Sequence, residues 1–154
     1  MDVKKLAILL ALTAPIAACA TAPATYAVTN TRVLPDSKDV VWERAVEFFA
    51  MNNLSIKTIE KDSGIIAAER MIGSPSRGGM IGTWASCGSE LLMLPVAQSV
   101  DLNVFVRSVP AGGTSITVNT DFTETRTFDA SRTTVNCNST GVLETSILDS
   151  VSGR

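Results

Sequence analysis

The chain has 154 residues, 45% of them hydrophobic and 18% charged, with 13 Lys and Arg against 15 Asp and Glu. That length suits one domain around a single core, and the scattered, slightly acidic charge leaves no basic stripe for nucleic acid and no basic patch for anionic lipid. There is no His, so Ser-His-Asp and Cys-His constellations and His-ligated zinc sites are excluded.

The first nineteen residues set the compartment. Lys4 and Lys5 provide a positive start, Leu6 to Ala14 an apolar run, and Ile16-Ala17-Ala18-Cys19 a small-residue exit ending in a thiol. The run is shorter than the roughly 20 apolar residues a permanent span needs, and its flanks are those of an export signal. Ile16-Ala17-Ala18-Cys19 resembles the lipobox of bacterial lipoproteins. The resemblance implies cleavage after residue 18 and acylation of Cys19, whose buried methylenes, at about 0.8 kcal/mol each, would hold a domain on a membrane. Ordinary secretion, with Cys19 discarded in the leader and cleavage near Ala22 or Ala27, is the alternative. Removing residues 1–18 leaves 136 of the 154 and, since Asp2, Lys4 and Lys5 go with them, moves the net charge from −2 to −3. The expected organisation is a signal peptide at 1–18, a flexible tether at 19–27 and one domain at 28–154.

With Cys19 assigned to lipid, Cys87 and Cys137 remain as an even pair in an oxidising compartment, for which a disulfide is the default. Closing a loop of about 50 residues constrains the unfolded chain by roughly 4 kcal/mol in the entropic model. Two free buried thiols or a metal pair are the competing readings, although no CxxC accompanies either Cys.

Along the chain, Ala27 to Leu34 carries β-branched residues and reads as a first, edge strand. Asp36 or Ser37 then offers an N-cap, with Asp39 and Glu43 near the positive helix end. Val41, Trp42, Ala45, Val46, Phe48 and Phe49 recur at steps of three and four and form a broad apolar helix face, which Asn52-Asn53 ends. Leu54 to Glu60 and Gly64 to Arg70 flank the turn Lys61-Asp62-Ser63-Gly64 as a hairpin under that helix. From Met71 to Gly88 the composition turns to Gly, Ser and Met. A long irregular insertion of this kind is a candidate contact surface, with Arg77, Met80 and Trp84 its partner-contact residues. Trp84, off any periodic face, is either a binding anchor or a cap on the core beside the disulfide.

Val100, Leu102, Val104 and Val106 alternate with Asp101, Asn103, Phe105 and Arg107. After Pro110-Ala111-Gly112-Gly113, Ile116, Val118, Thr120 and Phe122 alternate with Ser115, Thr117, Asn119 and Asp121. This predicts a long antiparallel hairpin with one buried and one wet face. Ser139 or Thr140 caps a final helix whose stripe is Val142, Leu143, Ile147, Leu148 and Val151, ended by Gly153.

The plan is α+β: an antiparallel sheet with two helices packed on one face, helix-grip-like, and one disulfide. Trp42-Glu43-Arg44-Ala45 opening the first helix and Asp62-Ser63-Gly64-Ile65-Ile66 after it resemble the BamC-like (NlpB-type) outer-membrane lipoproteins. By that resemblance to lipoproteins, Ala20 after the lipid Cys implies the outer membrane in a diderm envelope. Among the remaining chemistry, carboxylate pairs such as Glu60 with Glu69 or Asp121 with Glu124 read as wet-face charges near turns, and Ser55 with Lys57 lacks an SxxK pattern. No enzyme activity, cofactor or metal is expected. Two functions fit: a membrane-anchored, non-enzymatic module that docks an envelope protein through the 71–88 loop or a sheet edge, or a carrier or sensor holding a small apolar ligand between helix and sheet.

Overall fold

The computed structural model describes residues 20–72, 81–90 and 92–153. Cys19, the leader, Arg77 and Met80 lie outside them, and so do the expectations placed on those residues. The elements in chain order are β1 (Thr31–Leu34), α1 (Lys38–Met51), β2 (Ser55–Glu60), β3 (Ile65–Ile72), α2 (Ile81–Trp84), β4 (Ala85–Ser86), β5 (Leu94–Ser108), β6 (Thr114–Phe128), β7 (Ser131–Ser139) and α3 (Val142–Val151).

The β5–β6 hairpin is the spine of the sheet. Its register runs unbroken from Ala97 opposite Thr125 to Ser108 opposite Thr114, so every even-numbered residue of one strand meets an even-numbered residue of the other on the same face. Val100, Val104, Val106, Ile116 and Val118 are fully buried there. β3 pairs with β5, with Ile66 opposite Val104 and Ala68 opposite Leu102, and β2 follows at the edge. On the other side β6 is shared: its first half pairs with β1, Leu34 opposite Thr114, and its second half with β7, Phe122 opposite Cys137. The two-residue β4 completes the order β2-β3-β5-β6-β7-β4, seven strands with β1 included, all antiparallel.

Helices α1 and α3 cover the even-numbered face and pack against each other. Ser37 caps α1, its hydroxyl accepting from the Val40 N–H, and Val41, Trp42, Ala45 and Phe49 are buried beneath it as their spacing predicts. Val46 and Phe48 are partly buried against the same core. In α3, Leu143, Ile147, Leu148 and Val151 go inward, while Val142 is 40% exposed. Gly141, rather than Ser139 or Thr140, occupies the cap position, in the left-handed conformation; the Ser139 hydroxyl accepts from its N–H instead.

Two features depart from the expectations. Residues 131–139 form the strand β7, which the sequence reading leaves without an element. Only Val135 and Cys137 give it apolar character, and its stability comes from pairing with β6 across the two-residue turn Asp129-Ala130. The stretch read as a tether is fastened to the domain. Thr21 and Ser89 exchange backbone hydrogen bonds of 2.8 and 2.9 Å, the Ala24 N–H donates to the Ser86 hydroxyl, and the Asn138 amide donates to the carbonyls of Pro23 and Ala24. Small polar partners on 86–89 and 138 satisfy backbone groups that a free linker would leave to water.

Gly64 closes the first hairpin and docks it on the spine: its φ is +72°, its carbonyl accepts from the Val106 N–H at 2.7 Å, and an added Cβ would stand 1.9 Å from the Val106 carbonyl oxygen. Neither the backbone conformation nor the space admits a side chain. Gly64→Ala should therefore destabilise the domain by at least about 2 kcal/mol, read as a lower urea midpoint, whereas Ala at the unobstructed Gly112 should be milder.

Candidate functional site

Cys87 and Cys137 form the expected disulfide, their Cα atoms 4.2 Å apart and 50 residues apart in sequence. Cys137 is part of the core beside Phe122. Trp84, at the end of α2, is half-buried and packs on the same core, with the Arg70 guanidinium 6.0 Å from its ring centroid and its carbonyl accepting from the Thr140 N–H at 2.8 Å. The segment 84–87 is thus tied to both the central sheet and the start of α3.

A buried ion pair fixes that segment from below. Glu124, expected on the wet face, points to the helix side with Arg126, because both are even-numbered residues of β6. Their side chains are 9% and 6% exposed and 2.7 Å apart. The Gln98 amide donates to the second Glu124 oxygen at 2.6 Å, and the Arg126 guanidinium donates to the carbonyls of Cys87 and Gly88 at 2.7 and 3.0 Å. These groups hold one another in place and leave the carboxylate without access to a substrate. Asp121 faces the opposite side of the sheet, so it does not pair with Glu124. Glu60 and Glu69 lie at opposite ends of their hairpin, opposite Ile65 and Ser55. Among the described residues no three His, Cys, Asp or Glu side chains gather as a metal site.

The open face of the sheet, formed by the odd-numbered residues of β3, β5 and β6, carries a concave feature with mixed chemistry. Phe105, Arg107, Ser115 and Thr117 line a cleft of about 370 Å³. Register places them together: Phe105 lies opposite Thr117 and Arg107 opposite Ser115 on the hairpin, with Ile65 beside Phe105. The Arg107 guanidinium sits 5.6 Å from the Phe105 ring centroid, a cation–π distance, and forms no ion pair among the described residues. A guanidinium at this distance from a ring, with hydroxyls alongside, offers hydrogen-bond donors to a carboxylate and an apolar surface beside it. Sequence reasoning placed Phe105 and Arg107 on the wet side without singling them out. The available signal was an aromatic residue on the polar half of an alternating strand, two positions from an Arg.

Further along the same face, Glu69, Asp101 and Asp121 lie side by side on β3, β5 and β6. Lys57 pairs with Glu69 at 3.0 Å. Partial burial first, then Glu69 and Asp121, push the Asp101 carboxyl above its usual range, with Lys57 opposing.

Between the helices and the sheet, where a carrier would hold an apolar ligand, the described residues pack as a core. Phe49, Ile66, Leu102, Phe122 and Leu148 are at most 1% exposed in one contiguous core, and the clefts on the described surface, about 230 to 400 Å³, open outward.

Two outcomes follow from this geometry. Arg126→Ala strands the Glu124 carboxylate in the core and should destabilise by roughly 3–5 kcal/mol, with Glu124→Gln milder, by urea denaturation. Asp101 binds its proton more tightly folded than unfolded, so its contribution to stability falls as pH rises through its raised range and stays unfavourable above it. Asp101→Asn should raise the melting temperature at pH 7, and the gain should vanish as pH is lowered to where Asp101 is protonated in both states. No protein-family model and no curated protein matches this chain, so its function is read from its own residues.

Proposed function

We propose that this chain is a bacterial envelope lipoprotein, anchored to the outer membrane through acylated Cys19, whose domain is a non-enzymatic docking module for another envelope protein. The leader and the Ile16-Ala17-Ala18-Cys19 exit support the anchor, and the Cys87–Cys137 bond fits an oxidising compartment. Among the described residues no helix is long and apolar enough to cross a membrane.

The observation that carries the docking role is the Phe105–Arg107 pair. A cation 5.6 Å from an aromatic ring, without a carboxylate partner among the described residues and in a cleft open to solvent, has the composition of an interface anchor, in which Arg and aromatic residues dominate binding energy. The partner it suits presents an Asp or Glu next to an apolar side chain. The neighbouring carboxylates of Glu69, Asp101 and Asp121 disfavour an extensively acidic partner along the rest of the face. The Arg77, Met80 and Trp84 segment belongs to the proposal as a second contact region.

Affinity capture of the acylated protein from its native envelope tests this reading. Arg107 is exposed, so Arg107→Glu should leave folding intact and reduce recovery of the specific partner at least tenfold, while Arg132→Glu at the far end of the sheet should not. Equal recovery with Arg107→Glu would remove the cleft from the proposal. Cys19→Ser should move the protein to the soluble fraction, and membrane retention by that variant would remove the anchor.

A further inference from the structure

We infer that the end of the sheet formed by Leu92, Leu94 and Phe128 rests on the lipid bilayer, so that the anchored domain has a fixed orientation with the Phe105–Arg107 cleft held away from the membrane. This rests on the acylation of Cys19 proposed above and adds to it a second, non-covalent contact made by the fold.

The first observation is where the chain enters the domain. Thr21 is bridged to Ser89 in antiparallel sense, by two backbone hydrogen bonds and by a 2.8 Å contact between their hydroxyls. In such a bridge the residue before Thr21 lies on the side of the residue after Ser89, so Ala20 lies toward Glu90 and the chain that leads into Leu92 and Leu94. The bridge itself sits beside the sheet end, because Cys87 and Gly88 are held by Arg126, two residues before Phe128. An acyl group on Cys19 would therefore be attached two residues from a fastened point, without the slack of a free linker.

The second observation is what that end displays. Leu92 and Leu94 are each 62% exposed and Phe128 is 48% exposed. Leu94 lies opposite Thr127, the neighbour of Phe128, and Phe128 lies opposite Ser131 at the following turn. Single exposed apolar residues are ordinary on a protein surface, but here three share one sheet end beside the anchor point, Leu94 on the face of Thr127 and Phe128 on the opposite face, so that this end is apolar on both sides. Leu92 also has φ +69°, a left-handed conformation unfavourable for a branched side chain, in a segment that keeps its side chain in solvent. The charges near the tip, Glu90 and Asp129 against Arg132, do not favour anionic lipid. The contact is apolar and does not need an anionic surface.

The geometry then sets the height of the cleft. Phe105 is eleven residues from Leu94 along β5, about 35 Å at the usual rise of a strand. A domain standing on its Leu92, Leu94 and Phe128 end presents the opposite pole of the hairpin to the space beyond the membrane.

The test uses the acylated full-length protein in zwitterionic phosphatidylcholine vesicles carrying bromine on their acyl chains. Flotation and the mass of Cys19 establish the anchor. Leu94→Trp should then show blue-shifted emission, quenched at least twofold by the brominated chains and unchanged by 0.5 M salt, whereas Ala111→Trp at the far turn should stay unquenched. Leu92→Ser with Phe128→Ser should abolish the quenching at position 94 without releasing the protein from the vesicles. A floating, acylated protein whose position 94 is unquenched would overturn the orientation while leaving the anchor. A protein that neither floats nor carries acyl chains would overturn both. A blue shift that arises without vesicles and grows with protein concentration would assign the tip to a second copy of the chain and overturn the lipid contact.

Discussion

Strict two-residue alternation along β5 and β6 is the constraint from which the rest of this structure follows. From Ala97 opposite Thr125 to Ser108 opposite Thr114, two strands in continuous register commit their even-numbered side chains to one face and their odd-numbered ones to the other, and a slip of one residue would exchange the two sets. The even face is apolar over its middle and is closed by α1 and α3. The odd face, rich in Thr, Ser, Asn and Asp, remains in water. Each functional feature inherits its side from this parity: Glu124 and Arg126 are drawn into the core, while Asp101, Asp121, Phe105 and Arg107 are left outside.

Parity also explains why a charged pair is buried at all. At the lower end of the hairpin the helices no longer cover β6, and the space is filled by the 84–89 segment, whose backbone brings carbonyls to the interior. Arg126 satisfies two of those carbonyls, Glu124 balances Arg126, and Gln98 satisfies Glu124. A buried ion pair is seldom more stabilising than well-packed apolar side chains. Here its role is to seat irregular backbone against a sheet, and the disulfide fastens the same segment to β7 by a covalent route.

Much of this was legible in the residues. The apolar spacing of α1, the turn at Gly64, the alternation of β5 and β6, the stripe of α3 and the pairing of Cys87 with Cys137 are local or arithmetical signals, and the structure agrees with each. β7 was not legible, because a strand of Ser, Arg, Thr and Asn gains its stability from the neighbour it pairs with and not from its own pattern. Glu124 runs against the expectation from its charge because strand parity, shared with Phe122 and Arg126, decides its face. The Phe105–Arg107 cleft was half visible: alternation put both residues on the wet face, but the distance between guanidinium and ring depends on rotamers that sequence does not specify.

The two ends of the hairpin have different chemistry, and that difference gives the domain a direction. One end has three exposed apolar side chains and the entry of the chain; the other has a cation beside an aromatic ring. Between them run strands whose cross-strand pairing makes the hairpin stiff over most of its length. A rigid spacer with an apolar foot transmits position better than a flexible tether does, because a partner engaged at the far pole meets a site already confined in height and orientation, and less freedom is lost on binding. A docking module on a membrane gains from such confinement even when its cleft is small. The fastening of residues 21–24 to 86–89 and 138 is therefore as much a part of the proposed interaction as the cleft itself.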